Sequence, residues 1–168
     1  MRYFITGTPG SGKTTIGKLL QEKGYAFVDS DHAPGLANWY NDAIGEVVPS
    51  NTKEDAEWYR HHSWNWDREE LKKLLDAYKE KDVFLCGITS NQTNDLDLFD
   101  KVFLLTANQD ELRTRMLNRR TTANAETIEG VFEWHDVFEK EMIKHGAEPI
   151  DSTQDPGDIV NEILSSLS

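Results

Sequence analysis

The sequence predicts an α/β protein with three layers, in which helices cover both faces of a five-stranded parallel sheet. Segments of strand-like composition alternate with segments of helical periodicity along the chain, a pattern that is typical of parallel sheets. The segments at 83–86 and 102–105 are apolar throughout, as expected of strands buried on both faces. The five predicted strands cover residues 3–6, 25–28, 83–86, 102–105 and 147–150.

The helices are predicted from apolar residues spaced three and four positions apart. The first pattern covers residues 14–23 and puts Ile16 and Leu20 on one face. A second pattern, over residues 68–81, follows Asp67, a residue type that caps helix N-termini. Three more helices are predicted over residues 108–118, 125–144 and 156–167.

The composition excludes several classes of protein. The chain of 168 residues has 30 acidic and 18 basic residues and a formal net charge of −12, the wrong sign for binding long nucleic acid. It has no apolar run long enough to cross a membrane or to serve as a signal peptide. Its single cysteine cannot form an internal disulfide. We therefore expect one cytoplasmic domain, residues 1–168, that is a monomer or a homodimer.

One long segment, residues 32–67, has no regular periodicity. It contains four of the five tryptophans of the chain, and His61 and His62 lie among them. We expect this segment to be a largely helical insertion. Its aromatic side chains could stack on a planar molecule such as a nucleobase, or they could form a small core that holds the insertion together.

A glycine-rich loop after the first strand carries the most specific motif of the chain. Residues 7–14 read GTPGSGKT and fit the phosphate-binding pattern G-x-x-x-x-G-K-[ST] at every specified position. The glycines let successive N–H groups point at phosphate oxygens, and the helix near Lys13 adds its positive N-terminal end. Lys13 is placed to contact the β- and γ-phosphates of ATP, and the Thr14 hydroxyl to bind Mg²⁺. The predicted nucleotide-binding residues are Gly7, Pro9, Gly10, Ser11, Gly12, Lys13, Thr14 and Thr15.

This loop and the order of the elements resemble the P-loop small-molecule kinases, which include nucleoside monophosphate kinases, shikimate kinase and gluconate kinase. The resemblance spans nearly the whole chain in element order, but it is residue for residue only at Gly7, Gly12, Lys13 and Thr14. It implies a P-loop fold with strand order 2-3-1-4-5, ATP and Mg²⁺ as cofactors, and transfer of the γ-phosphate to a small-molecule acceptor. It also implies that the insertion binds this acceptor, which could be a nucleoside, a nucleotide or a polar hydroxylated metabolite.

Two aspartates follow the second strand with the spacing D-x-D. Because residues two apart on a strand point to the same side, Asp29 and Asp31 can both face the crevice at the carboxyl ends of the strands. A carboxylate there can orient an acceptor hydroxyl and accept its proton. We expect Asp31 to be this base and Asp29 to be the outer partner of the metal bound by Thr14. Alternatively, both aspartates only cap a turn.

Four of the seven arginines lie within eight residues of an otherwise acidic chain. The resemblance implies a lid that carries an arginine, and Arg119 and Arg120 match it best, at the break between two helices over residues 119–124. Guanidinium groups there would stabilise the charge of the transferring phosphoryl group. Arg113 and Arg115 could instead pair with Glu111 or face solvent. The predicted catalytic residues are Lys13, Asp31, Arg119 and Arg120.

The third strand departs from the family pattern, in which an acidic metal partner often follows it. Here the strand ends in Cys86 and Gly87, so the metal site would depend on Thr14, phosphate oxygens, water and Asp29. We expect Cys86 to be a small core residue and His135 to have a surface or packing role.

A second interpretation of the same motif is a nucleotide-dependent switch. In that case, ATP hydrolysis would respond to a partner protein, and the aromatic residues of the insertion would form the docking surface.

Overall fold

The computed structural model describes residues 1–49, 56–118 and 125–167 of the chain. In chain order the strands within this part are β1 (Arg2–Thr6), β2 (Ala26–Asp29), β3 (Ala37–Asn41), β4 (Glu46–Val48), β5 (His62–Trp66), β6 (Val83–Cys86), β7 (Lys101–Thr106) and β8 (Glu148–Asp151). The helices within it are α1 (Lys13–Glu22), α2 (Ala56–Tyr59), α3 (Arg68–Ala77), α4 (Gln109–Asn118), α5 (Ala125–Lys144) and α6 (Pro156–Ser165), and a 3₁₀ helix covers Gln92–Leu98.

The main sheet among the described residues has five parallel strands in the order β2-β6-β1-β7-β8. Counted along the chain within this sheet, the order is 2-3-1-4-5, so the predicted α/β fold is confirmed. The predicted bounds of these strands differ from the observed ones by at most one residue at either end. Strand β1 lies at the centre of the sheet, and the loop after it therefore begins in the middle of the carboxyl edge, where ligands bind in such sheets.

Alternate residues of β1 enter two different cores. Phe4 packs with Leu71 of α3 and Met142 of α5, whereas Ile5 packs with Leu20 of α1 and with residues of α6. All five named side chains are fully buried. Because successive side chains of a strand point to opposite faces, helices must cover both faces of the sheet, which produces the three layers.

Two helices begin directly after an aspartate that caps their first turn. The Asp67 carboxylate accepts hydrogen bonds from the backbone N–H groups of Glu69 and Glu70, as a capping residue does. Asp155 accepts from the N–H of Gly157 at the start of α6, whose first residue is a proline. Local sequence therefore determines where both helices start.

The expectation of a largely helical insertion at residues 32–67 was wrong. Within its described residues, the strands β4, β3 and β5 form an antiparallel sheet in that order, and α2 covers only four residues. In β5 the large residues His62, Trp64 and Trp66 alternate with small polar ones, the period of a strand. Trp39 of β3 lies opposite Trp64, with ring centroids 5.3 Å apart. Such aromatic cross-strand pairs stabilise a sheet and favour it over a helix here.

Strand β5 fastens the insertion to the carboxyl edge of the main sheet. The Trp66 N–H donates to the Asn91 side-chain oxygen, and the Asn91 amide donates back to the Trp66 carbonyl. The Ser90 N–H donates to the Trp64 carbonyl. Trp66 is buried, and its ring lies 5.0 Å from that of Phe4. The insertion therefore stands beside the end of β6, close to the glycine-rich loop.

No helix in the described part of the chain is both long enough and apolar enough to cross a membrane.

Candidate functional site

The loop between β1 and α1 has the backbone conformation that its glycines permit. Gly10 and Gly12 have φ values of 93° and 96°, a region that favours glycine. A Cβ on Gly7 would lie 2.6 Å from the carbonyl oxygen of Leu105, so the loop can pass this close to β7 only with glycine at that position. The Gly12 carbonyl accepts the N–H of Ile16, which begins α1. The N–H groups of a first helical turn make no hydrogen bond within the helix, so they can bind an anion.

The side chain of Lys13 folds over this loop. Its Nζ donates to the Gly7 carbonyl at 2.6 Å and to the Thr8 carbonyl at 3.4 Å. The same ammonium is close enough to the Asp31 carboxylate to attract it. Lys13 thus lies between the nucleotide loop and the predicted base, where its charge can reach the phosphates of a bound nucleotide.

Thr14 and Asp29, the predicted metal partners, are in contact. The Thr14 hydroxyl donates to Asp29 Oδ2 at 3.3 Å. The other oxygen, Oδ1, accepts the Asp31 N–H at 3.2 Å and lies 3.2 Å from His32 Nδ1. A hydroxyl and a carboxylate from two different elements are the oxygen donors that Mg²⁺ prefers. These residues therefore fit the metal that accompanies ATP.

Asp31 follows at the end of the same turn. The pKa of its carboxyl is raised, chiefly because surrounding protein displaces water and also because Asp29 is negative. The Lys13 ammonium and the backbone N–H of Ile88 act in the opposite direction. The residue as a whole stays open to solvent. A carboxylate with a raised pKa that a small molecule can reach is suited to accept a proton.

Gly87 makes room for this turn. From the sequence it was only a departure from the family pattern. A Cβ on Gly87 would overlap the Ser30 hydroxyl and would lie 3.1 Å from Asp31 Oδ1. The preceding residue, Cys86, is fully enclosed, and burial raises the pKa of its thiol. Cys86 is therefore a core residue, as expected, and Gly87 allows the aspartate-bearing turn to lie against the end of β6.

The two arginines of α4 are both engaged in ion pairs. Arg113 donates two hydrogen bonds to Glu129 of α5, at 2.9 and 3.1 Å. Arg115 donates to Glu111 at 2.7 Å and to the Ser152 carbonyl at 2.9 Å. Pairing with Glu111 was one of the two alternatives for these residues, and Arg115 makes this pair, whereas Arg113 pairs with Glu129 instead. The link from Arg115 to the loop after β8 was not predicted, because it joins residues that are far apart in the chain.

Arg119 and Arg120, and the predicted lid at residues 119–124, lie outside the described residues. Helix α4 ends at Asn118 and α5 begins at Ala125.

His135 contacts the nucleotide loop, residues 7–14, a contact that was not predicted from the sequence. Its Nδ1 lies 2.7 Å from the Thr8 hydroxyl, and both residues are buried. A signal for its burial is present in the sequence, because Ile128, His135 and Met142 are spaced by seven residues and all three are buried on one face of α5. What His135 touches could not be read from that spacing.

The aromatic residues of the insertion pack mainly on one another. The rings of Trp58 and His62 stack at 4.1 Å and 7°, and Trp39 lies 4.9 Å from Trp58 in an edge-on arrangement. These contacts agree with the second alternative for the aromatic residues, a small core that holds the insertion together.

The chain resembles known proteins over most of its length. A family model described as an AAA domain matches residues 4–143. A protein of Methanocaldococcus jannaschii named "Putative adenylate kinase" is 31% identical over 172 residues, which cover 99% of this chain and 86% of that protein.

Solved structures of small-molecule kinases share the fold. Shikimate kinase from Acinetobacter baumannii, in complex with shikimate, has a TM-score of 0.62 at 20% identity, covering 99% of this chain and 92% of that one. Deoxyadenosine kinase from M. mycoides, with bound dATP, has a TM-score of 0.57 at 15% identity, covering 99% of both chains. At these identities the likeness establishes the fold alone.

Proposed function

Because the chain belongs to the AAA domain family and is an ATP-dependent small-molecule phosphotransferase, we propose that it moves the γ-phosphate of ATP to a hydroxyl group of its acceptor. The observation that carries this proposal is the meeting of Thr14, Asp29 and Asp31 within reach of the Lys13 ammonium. A nucleotide loop alone would serve hydrolysis equally well. A reachable carboxylate with a raised pKa beside it suits a reaction in which a hydroxyl must lose a proton.

In the proposed reaction each residue has one task. The loop N–H groups and Lys13 bind the β- and γ-phosphates. Thr14 and Asp29 would hold Mg²⁺, which would neutralise phosphate charge. Asp31 orients the acceptor O–H and takes its proton as the acceptor oxygen bonds to the γ-phosphorus. The bond from that phosphorus to the β,γ-bridging oxygen breaks, and ADP leaves.

Two further segments complete the proposed site within one domain, residues 1–168. Arg119 and Arg120 of the lid, residues 119–124, would bring their guanidinium groups to the transferring phosphoryl group. The insertion, residues 32–67, would supply the acceptor site, because β5 fastens it beside the end of β6. Closure of lid and insertion over both substrates would exclude water, which otherwise competes as a nucleophile.

The supply of positive charge favours an uncharged acceptor. The basic residues of the insertion are Lys53, outside the described residues, and Arg60. The Arg60 side chain is 62% exposed and pairs with Glu57. The two site aspartates repel an anion. Bidentate guanidinium donors favour carboxylate or phosphate acceptors, and Arg60 is the one arginine in the sequence of the insertion. We therefore favour a nucleoside or a neutral polyhydroxylated compound over a nucleotide or a hydroxy acid.

The experiment that tests this function is a screen for ADP release with matched acceptors. Each nucleoside is compared with its monophosphate, and each neutral polyol with its carboxylate, in the presence of ATP and Mg²⁺. We expect ADP and a phosphorylated product in equal amounts with an uncharged acceptor. If a charged acceptor gave the fastest ADP release, only the preference for an uncharged acceptor would be overturned, and the kinase function would stand. Hydrolysis that responds to a partner protein, without any phosphorylated product, would replace the kinase by the nucleotide-dependent switch.

The setting that we propose is the cytoplasm, with the protein as a monomer or a homodimer and without long nucleic acid as a partner. The net charge of −12 disfavours nucleic acid. The single cysteine is a free thiol, which suits a reducing compartment.

A further inference from the structure

Helix α5 touches the nucleotide loop through His135. The Thr8 hydroxyl and His135 Nδ1 lie 2.7 Å apart, although 127 positions separate them in the chain. Thr8 is fully buried and His135 is 3% exposed. A hydrogen bond in such surroundings is shielded from water, and loss of either partner leaves the other unsatisfied.

The position of His135 is held from several sides. Its ring meets the Phe132 ring edge-on at 6.0 Å. Gln109, at the start of α4, donates to the Asp136 carboxylate at 3.2 Å and ties the two helices together. Ile128 and Met142 anchor the same face of α5 on either side. The position of the imidazole is therefore determined by contacts other than its hydrogen bond to Thr8.

Thr8 connects His135 to the groups of the loop that are proposed to bind phosphate. Its carbonyl accepts the Ser11 N–H at 3.0 Å and Lys13 Nζ at 3.4 Å. A shift of Thr8 would therefore move both the loop backbone and the lysine ammonium.

We propose that His135 is a positioning residue for nucleotide binding, which holds the loop in its phosphate-binding shape through the Thr8 hydroxyl. This role goes beyond the proposed reaction, since it concerns ATP affinity and not the acceptor. It also connects α5, the helix that follows the predicted lid, to the bound nucleotide through Thr8.

The protonation state of the ring agrees with this role. Burial lowers the pKa of His135, so that the neutral imidazole predominates at pH 7 and Nδ1 can accept the Thr8 O–H. The other nitrogen, Nε2, faces the carboxylates of Asp136 and Glu139, each 3.8 Å away. These three side chains line a pocket of about 550 Å³, and Asp151, at the end of β8, lines it too.

Four variants and a control test the proposal by ATP affinity, measured by calorimetry, alongside the free energy of unfolding. His135→Leu and Thr8→Val each remove one partner and should weaken ATP binding about ten-fold, the value of one buried hydrogen bond. The double variant should bind no worse than either single one, because both remove the same bond. His135→Asn places a polar atom near the position of Nδ1 and should restore most of the affinity.

The control is Phe138→Leu, one turn further along α5 and packed on a core cluster that includes no residue of the loop. It should lose stability yet keep the ATP affinity of the wild type. Equal weakening by Phe138→Leu, additive losses in the double variant, or unchanged affinity in Thr8→Val would each overturn the proposal. If the wild type bound no ATP, the proposed function itself would fail, which is a separate outcome.

Discussion

The Thr14 hydroxyl donates a hydrogen bond to the Asp29 carboxylate over 3.3 Å and thereby joins the start of α1 to the end of β2. The two residues are 15 positions apart and come from opposite sides of β6, since the sheet order separates β2 from β1 by that strand. The contact brings together two oxygen atoms that could bind Mg²⁺, beside the predicted base Asp31. The first prediction therefore concerns the metal dependence of turnover.

Asp29→Asn should raise the Mg²⁺ concentration needed for half-maximal turnover about ten-fold, the lower end of the effect of losing a group that supports a metal site. The amide can still accept the Thr14 hydroxyl, so the fold should persist. Turnover measured against free Mg²⁺ at saturating ATP checks this, and chelation of the metal should abolish activity in both proteins. An unchanged Mg²⁺ curve would remove Asp29 from the metal site.

Asp31→Asn should lower turnover by about 10² to 10⁴, the usual contribution of a general base. ATP affinity should change little, because Asp31 is proposed to act on the acceptor hydroxyl. Single-turnover rates and calorimetry separate the two effects. Asp42→Asn, in the exposed turn after β3, is the matched control and should behave as wild type. An unchanged rate constant would leave Asp31 with a role in the turn alone.

The lid arginines should matter for turnover far more than for ATP binding. If Arg119 or Arg120 stabilises the transferring phosphoryl group, its replacement by alanine should cost up to about 10³ to 10⁵ in rate. Arg113→Ala, which removes an arginine bonded to Glu129, is the control for loss of charge and should keep most of the turnover. Equal rates in all three variants would contradict the proposed role.

Closure of the site can be followed by hydrogen exchange. Residues 119–124 and 32–67 should both gain protection when a non-hydrolysable ATP analogue and the acceptor bind together. The analogue alone should protect the nucleotide loop, residues 7–14, more than the insertion. Unchanged exchange in both segments of a saturated complex would show that the site does not close.

Gly87→Ala should destabilise the protein by about 1–3 kcal/mol, because the new methyl group overlaps the Ser30 hydroxyl and must displace the turn. Turnover should fall too, since Asp31 moves with that turn. Gly130→Ala is the matched control: a Cβ there meets open space within α5, and alanine should stabilise the helix by about 0.5–1 kcal/mol. Urea unfolding measures both changes. A variant at position 87 as stable as the wild type would contradict the packing argument.

Glu139 should make stability depend on pH. Burial of its carboxyl, with Asp136 nearby, raises its pKa from 4.5 to about 7. Between these values the folded protein retains a proton that the unfolded chain has released. The stability due to this carboxyl is therefore fully present below pH 4.5 and is lost as the pH rises to about 7. Glu139→Gln, a neutral mimic, should match the wild type near pH 4.5 and exceed it near pH 8 by on the order of 2–3 kcal/mol.

Urea unfolding across this pH range tests the prediction, with Glu133→Gln on the exposed side of α5 as the control. The pKa of His135 is lowered, so that residue opposes the trend below about pH 6.5. His135 Nε2 lies 3.8 Å from the Glu139 carboxylate, so the two groups are coupled where the imidazole titrates. Near pH 8 the imidazole is neutral in both proteins, and the difference in stability there belongs to Glu139. A difference that does not change with pH would mean that the Glu139 carboxyl titrates normally.

The chemistry of the nucleotide loop could be predicted because it is local. Gly7, Gly12, Lys13 and Thr14 lie within eight consecutive residues, and their conformation follows from the glycines and from the helix that begins there. The buried strands could be predicted for a similar reason, since continuous apolar runs must be covered on both faces. The sequence by itself therefore determined the sheet, the loop and the class of ligand.

Tertiary structure decided what depends on residues distant in the chain. The alternation of residues in β5 favours a strand, but the strand that it joins is decided by the pairing of Trp39 with Trp64, which no local pattern displays. His135 reaches Thr8 only because folding brings α5 against the loop that follows β1, and Gly87 is required only because Ser30 lies against it. In each case the energy comes from contacts between surfaces that the chain brings together on folding, and periodicity within one segment carries no information about its partner.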